Sequence, residues 1–363
     1  MQSHPDPNCP QDHQRIASMP FKPMLIASSV VALVASVPAT HAQTPAAPQV
    51  STCDRACMSG IVDTLLQSMV AHDPDHLPLT AMYEATENSR PAALGMMQAW
   101  RTITQAQKPS LLAIDTHAGQ AYFALNVSEG GNTSILWGRI KVIDRKISQL
   151  EIFLNRSRAD HGFSFSPEQL PENYRFVMHP PAGRKKATHA QLVALSNAAF
   201  DASDPLKVDV AKDCQFTELG WKVIDPGLDD QPPRPNAEEP LGCMFPPFRP
   251  TDKQARTIVI DDELGIVVDA AVIRGMVYPY PWHGRMISAF IPVDMAEPAK
   301  MQDDWIKRHM GEHKAPIVKP MPATGEVMQV LQYYDGKLQA SQINVYLGSK
   351  GALSDWVAPD VTP

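Results

Sequence analysis

Beyond its first forty residues the sequence has no apolar run long enough to cross a bilayer as a helix, which takes about 20 residues. Basic residues never cluster except at Arg184-Lys185-Lys186, and the net charge is −7. A chain without a basic stripe is not built for nucleic acid or for an anionic membrane surface, so the short cluster reads as part of a solvated connector. No Gly-x-Ser-x-Gly elbow points to a serine hydrolase, and no phosphate-cradling glycine loop or dinucleotide fingerprint is present. His72 and His76 are spaced as a helical metal pair would be. Pro74 lies between them and breaks the helix that would align their rings, and no His-Glu-x-x-His run supports them. Neither a metal nor a cofactor is therefore expected.

Cysteine is also scarce, with five in 363 residues, and its use depends on compartment. Arg15 and Lys22 precede an apolar run at 24–37, which ends in small residues up to Thr40-His41-Ala42. That order is the pattern of a secretory signal. Residues 1–42 are expected to be removed, leaving a periplasmic or secreted chain with no membrane segment; an uncleaved anchor is the rival reading. Cys9 leaves with the signal. Cys53, Cys57, Cys214 and Cys243 remain, and an even number in an exported chain favours two disulfides. Three pairings are possible. Cys53 with Cys57, one helical turn apart, and Cys214 with Cys243, across a proline-rich loop, is the expected one. A structural zinc site competes, although these spacings do not match the usual Cys-x-x-Cys pairs.

What the sequence does contain is a repeat. Asp73-Pro74 recurs as Asp204-Pro205 and Thr86-Glu87 as Thr217-Glu218, both 131 residues on. Ile114-Asp115 with Gly119 returns as Ile260-Asp261 with Gly265. Asp144-Arg145-Lys146-Ile147 returns as Asp335-Gly336-Lys337-Leu338. Four matches in the same order indicate one unit present twice. Met58, Ile61, Val62, Leu65, Leu66 and Met69 share a helical face in the first copy. Leu192, Leu195 and Ala199 do so in the second, behind a Thr188/Gln191 capping box. Stretches rich in β-formers follow each helix, and Asp144-Arg145 and Asp335-Gly336 mark hairpin turns. The expected class is α+β, with helices packed on a curved antiparallel sheet in each of two domains. These are placed at 43–155 and 188–363, joined by a proline-containing linker at 156–187. The second carries a proline-rich insertion at 225–250.

Cys53-Asp54-Arg55-Ala56-Cys57, His72-Asp73-Pro74, Thr86-Glu87-Asn88 and Asp335-Gly336-Lys337 resemble a group of exported bacterial and fungal proteins. That group is similar to the nuclear transport factor 2-like (SnoaL-like) superfamily, which includes polyketide cyclases, ketosteroid isomerase and scytalone dehydratase. The resemblance spans 51–155 and 188–356. It implies a cone-shaped domain with a pocket at its wide end, and sheet faces that often pair, so a homodimer is a possible assembly.

The enzymes among such relatives transfer protons in an apolar pocket, where desolvation moves a carboxylate toward the working pH. Glu87 is the candidate base, with Asn88 or Tyr83 donating to developing charge and Glu218 as its repeat in the second copy. Trp100, Tyr122 and Trp221 are candidates to line a pocket for a small apolar or aromatic molecule. The expected function is a cofactor-independent lyase, isomerase or hydratase. The alternatives are a ligand-binding protein without catalysis and an interaction scaffold, and Thr-Glu is alternatively a structural turn with its carboxylate bonded to backbone donors.

Overall fold

Asp54 starts the first helix: its carboxylate accepts the Cys57 N–H at 2.8 Å and caps α1 (Arg55–Val70). The apolar face read from the sequence is the one that α1 buries, with Ser68 added to it. The structure is a computed structural model that describes residues 53–157, 165–199, 208–223, 243, 253–282, 285–309 and 319–351. All of these fall within one compact unit, Gln49–Pro363. The expected signal segment, Asp204-Pro205 and the insertion at 225–250, apart from Cys243, lie outside the described residues.

Strands β1 (Leu79–Glu87) and β2 (Arg90–Pro91) follow, then the short helix α2 (Gln98–Thr102). Five more strands complete the first half: β3 (Gln105–Ala106), β4 (Leu111–Asp115), β5 (Gln120–Glu129), β6 (Asn132–Ile143) and β7 (Lys146–Asn155). Helix α3 (Leu170–Met178) leads to α4 (His189–Ala199), β8 (Val210–Glu218) and β9 (Trp221–Lys222). The chain ends in β10 (Lys253–Asp261), β11 (Ile266–Trp282), β12 (Arg285–Pro292), α5 (Ala296–His309), β13 (Met321–Tyr334) and β14 (Lys337–Ser349). The order is β2-β1-β7-β6-β5-β3 in one seven-stranded sheet, with β4 also on β5. In the other it is β10-β11-β13-β14-β8-β9, with β12 also on β11.

The fold is therefore α+β with two curved sheets, but the sheets are mixed rather than antiparallel. β1 runs parallel to β7, and β8 parallel to β14. Side chains alternate with the same period of two in either direction, so patterning alone could not tell the two apart.

The repeat holds at the level of register. Leu79 pairs with Ile147 and Glu84 with Gln149; Val210 likewise pairs with Leu338 and Gln215 with Ala340, across the same register shift. The bulge between Lys141 and Val142 has its counterpart between Gln332 and Tyr333. A bulge re-aims side chains and twists a strand, so both sheets are bent at the same place.

Each sheet has one face toward its own helix and the other toward its fellow sheet. On the first sheet Phe123, Leu125, Leu136, Ile140, Leu150 and Ile152 pack with α1. The opposite face joins the second sheet in a single cluster that includes Tyr122, Trp137 and Phe153 from one side and Val268, Ala270, Met328 and Val330 from the other. The segment expected as a polar linker contributes to this layer. Leu170, Tyr174 and Val177 of α3 are fully buried in it, because spacings of four and three residues keep them on one stripe of a helix with 3.6 residues per turn. Several polar groups in the layer bond one another: Tyr174 donates to Asn344 Oδ1 at 3.0 Å, the Asn344 amide meets Tyr122, and Trp137 donates to Asn155 at 2.7 Å. The Arg139–Glu151 ion pair, at 3.7 Å, is wholly buried there.

The two repeated Ile-Asp pairs bind each other. Ile114 donates its N–H to Asp261 Oδ2 at 2.9 Å, and Ile260 donates to Asp115 Oδ2 at 3.1 Å. The second oxygen of each carboxylate caps its own turn, taking the N–H groups of His117 and Ala118 on Asp115 and of Glu263 and Leu264 on Asp261. Arg55 adds a charge-assisted contact from just inside α1, bonding Asp261 and, at 2.7 Å, Glu263.

Both expected disulfides form, Cys53–Cys57 and Cys214–Cys243, which leaves none of these four thiols for zinc. No helix among the described residues is long and apolar enough to cross a membrane. Removing the Asp261 carboxylate strips an acceptor from three backbone N–H groups and a partner from Arg55. Asp261→Ala is expected to lower stability by about 3–4 kcal/mol in urea unfolding, and Asp115→Ala, which has no cation on it, by about 1–2 kcal/mol.

Candidate functional site

Glu87 ends β1 on the face toward α1. Its two oxygens accept the N–H groups of Gln98 at 2.7 Å and Ala99 at 2.8 Å, the opening residues of α2. A carboxylate there complements the exposed donors and the positive end of the helix. Both oxygens are thus engaged by backbone, the arrangement of a structural turn. Asn88 follows with φ of 51°; its N–H donates to Ile152 O and its Oδ1 accepts from Leu154, so its side chain locks the turn against β7. Tyr83 is exposed on β1.

The aromatic candidates do not converge. Trp100 is buried against α1 with its Nε1 donating to Ser68 Oγ at 3.1 Å. Tyr122 is buried on the opposite face of the first sheet, in the layer between the sheets, where burial and the neighbouring Tyr174 raise its pKa well above the usual tyrosine value. Alternation along β5 separates it from Phe123 and hence from the Trp100 side. Glu218 and Trp221 sit half-buried at the Glu87 and Arg90 positions of the second copy, cross-paired between β8 and β9. The helix-facing side of the first sheet is filled by Leu65, Met97, Trp100, Ile103 and Phe123, all buried. A groove of about 360 Å³ between α1 and 106–108, lined by Leu66, Val70, Ala106 and Lys108 among others, includes none of the candidate residues. Among the described residues, no three His, Cys, Asp or Glu side chains are grouped to hold a metal ion.

The second copy differs at equivalent positions. Leu65 of α1 corresponds to Ser196 of α4, 131 residues on. Phe123 of β5 corresponds to Asp269 of β11, 146 residues on, the spacing that also relates Asp115 to Asp261. Leu150 corresponds to Ser341 through the hairpin repeat. The apolar filling of the first copy becomes a polar belt in the second. Asp269 is fully buried, with Ser196 Oγ donating to its Oδ1 and Thr257 Oγ1 in contact with Ser196. Thr257 and Gln329 flank it in register on the neighbouring strands. Its Oδ2 has no hydrogen-bond partner among the described residues.

Burial pushes the Asp269 carboxyl up to about 8, only partly opposed by the hydroxyls of Ser196 and Thr257. It is therefore mostly the neutral acid at neutral pH, with a proton to donate. On one side lie Leu192, Leu195, Val267 and Leu331, on the other Ala271, Ile273, Val327 and Phe290. Phe290 reaches the sheet because Gly275 and Gly325 leave room for it: a Cβ on either would stand 2.4 or 2.8 Å from its ring. The sequence repeat does not mark Asp269, because Asp269 stands where the repeat breaks. A lone acid inside Ile266-Val267-Val268-Asp269-Ala270-Ala271-Val272 was the available signal.

A folded carboxyl titrating near 8 instead of 3.8 holds its proton where the unfolded chain has lost it. Stability from this group is full below about pH 4, falls as pH rises toward 8 and is flat beyond. Asp269→Asn is expected to remove that slope, read as thermal midpoints from pH 5 to 9. Glu87→Ala should cost about 1–2 kcal/mol at any pH in that range, as loss of a helix cap.

No family model matches the chain, and no curated protein does. Among solved structures, a de novo designed protein with a curved β-sheet aligns at 9% identity and a TM-score of 0.25, over 33% of this chain and 96% of that one.

Proposed function

We propose that the second copy is the working half of an exported pocket protein of the nuclear transport factor 2-like kind. In this reading each half is a cone. The first is filled and serves as a scaffold, and the second takes a small, uncharged, apolar or aromatic molecule on the helix-facing side of its sheet. Asp269, not Glu87, is the acid–base group. The observation that carries the reading is the exchange of Phe123 for Asp269 at equivalent places of the two sheets, where β10–β11 also carries a register shift, between Thr257 and Val259, that β4–β5 lacks. Burying an acid where a phenyl ring would fill the core is destabilising unless a bound group uses it.

A neutral carboxyl whose Oδ2 has no hydrogen-bond partner among the described residues offers a proton to a carbonyl, ether or hydroxyl oxygen of the ligand. If that oxygen gains charge during reaction, the same group serves as general acid, and the protein is a cofactor-independent lyase, isomerase or hydratase. Binding without turnover is the second reading, favoured by the neighbours of Asp269 in register, Thr257 and Gln329, neither of which is an acid or base. The sheet face through which such domains pair is covered here by the chain's own second sheet, so a homodimer would need another surface.

The test is a thermal-shift screen of the processed protein against aromatic, terpenoid, polyketide-like and sugar-acid compounds, with each hit mixture analysed for conversion. Neutral oxygen-bearing compounds are expected to raise the midpoint of the wild type and of Glu87→Gln but not of Asp269→Leu. Conversion lost with Asp269 identifies the enzyme. Hits that survive in Asp269→Leu would overturn this placement of the site.

A further inference from the structure

We propose that Gln329 is the second binding group of the site and that its ligand is a neutral hydroxy-carbonyl compound. The Asp269 carboxyl takes the carbonyl oxygen, and the Gln329 amide takes a hydroxyl about 5 Å away. The inference rests on the reading of Asp269 as the binding group and adds the chemical class of the ligand and the residue that selects it.

The exchange of Phe123 for Asp269 is one part of a change along a whole cross-strand row. In the first sheet the row runs Leu112, Phe123, Gly138 and Ile152, from β4 to β7. In the second it runs Thr257, Asp269, Gln329 and Ile343, on β10, β11, β13 and β14. Three of these four places gain a hydrogen-bonding side chain. By sequence the counterpart of Leu112 is Ile258, 146 residues on. The register shift between Thr257 and Val259 turns Ile258 into the layer between the sheets and sets Thr257 opposite Asp269 instead. At Gly138 the first copy has no room for a side chain, since a Cβ would stand 2.2 Å from Glu151 O. The second copy holds a glutamine there. On the same face Leu125, Leu136 and Leu150 have the smaller Ala271, Val327 and Ser341 as counterparts, which makes space beside the row.

Residues directly opposed on antiparallel strands share a face, so Asp269 and Gln329 stand side by side with Cβ atoms about 5 Å apart. Ser196 donates to Asp269 Oδ1, which leaves Oδ2, without a hydrogen-bond partner among the described residues, to meet a ligand. Gln329 is 8% exposed, and no hydrogen bond among the described residues engages its amide. Two adjacent polar groups buried in this way cost free energy in the empty protein, and a ligand that bonds both offsets it. A protonated carboxyl is a donor, so its partner is an acceptor such as a carbonyl oxygen. An amide both donates and accepts, and so does a hydroxyl, which satisfies it in either orientation. The row has no cation on it to hold an acidic ligand, so the compound it fits is neutral.

Calorimetric titration at about pH 6, where the Asp269 carboxyl holds its proton, tests this with two probes. They are 3-hydroxyacetophenone and 3-methylacetophenone, which match in size and differ in the hydroxyl. The wild type is expected to bind the hydroxy compound about tenfold more tightly, the worth of one good hydrogen bond. In Gln329→Met, close in size and without an amide, the two should bind alike, at the wild-type affinity for the methyl compound. Asp269→Leu should bind neither. Asp269→Asn, which keeps a donor at that place, should bind both with the hydroxyl preference intact. Equal binding of the two probes by the wild type, or a preference retained in Gln329→Met, would overturn the role of Gln329 and leave the Asp269 site standing. Binding of both by Asp269→Leu, or of neither by the wild type, would instead overturn the site on which the inference rests.

Discussion

Asp115 and Asp261 each accept a backbone N–H from the other half of the chain, and the placement of everything else follows from that exchange. A strand-end N–H buried between two sheets has no water to bond, and leaving it unpaired is costly. Each carboxylate meets that need for its counterpart while its other oxygen closes its own β-turn. The contact is self-complementary in the way of a two-fold dimer interface, although both halves belong to one chain. Once it is made, the two sheets face one another, and α3 fills the layer that would otherwise be open to solvent. Arg55 ties α1 to the same point, next to the Cys53–Cys57 bridge.

A duplicated unit can specialise because only one of its two helix-facing cores is needed to hold the scaffold. The first copy keeps large apolar side chains there and commits its acid, Glu87, to a helix terminus. The second gives up close apolar filling between Val267 and Ala271 and accepts a buried acid, one oxygen of which has no partner among the described residues. That choice lowers stability at neutral pH, and a fold with two disulfides and a broad shared layer can tolerate it. The stability lost in the second copy is the reason to place function there rather than in the copy that carries Glu87.

Glu87 and Asp269 illustrate opposite signals in a repeat. Thr86-Glu87 and Thr217-Glu218 recur at the same place, the end of the first strand of each copy, where each glutamate pairs across the following turn. Asp269 stands where its counterpart is Phe123, so no recurrence marks it. A recurring motif in a duplicated chain reports what the fold requires twice, and a departure from it reports what only one half does.

The sequence by itself determined the local elements: the α1 and α4 faces from 3.6-residue spacing, the hairpins at Asp144-Arg145 and Asp335-Gly336, the two cystines and the existence of the repeat. Each of these is set by residues close in the chain or by a pattern recurring along it. Only the tertiary structure decided that β1 and β8 pair in parallel, that α3 is core rather than linker, and that Tyr122 and Trp100 lie on opposite faces. It also decided that the repeated aspartates meet and that, among the described residues, one oxygen of Asp269 has no hydrogen-bond partner. Those depend on which faces touch across more than 100 residues of chain, as from Ile114 to Asp261, and on the water that contact removes. Alternation along a strand says that a residue faces one way or the other, and packing alone says what it finds there.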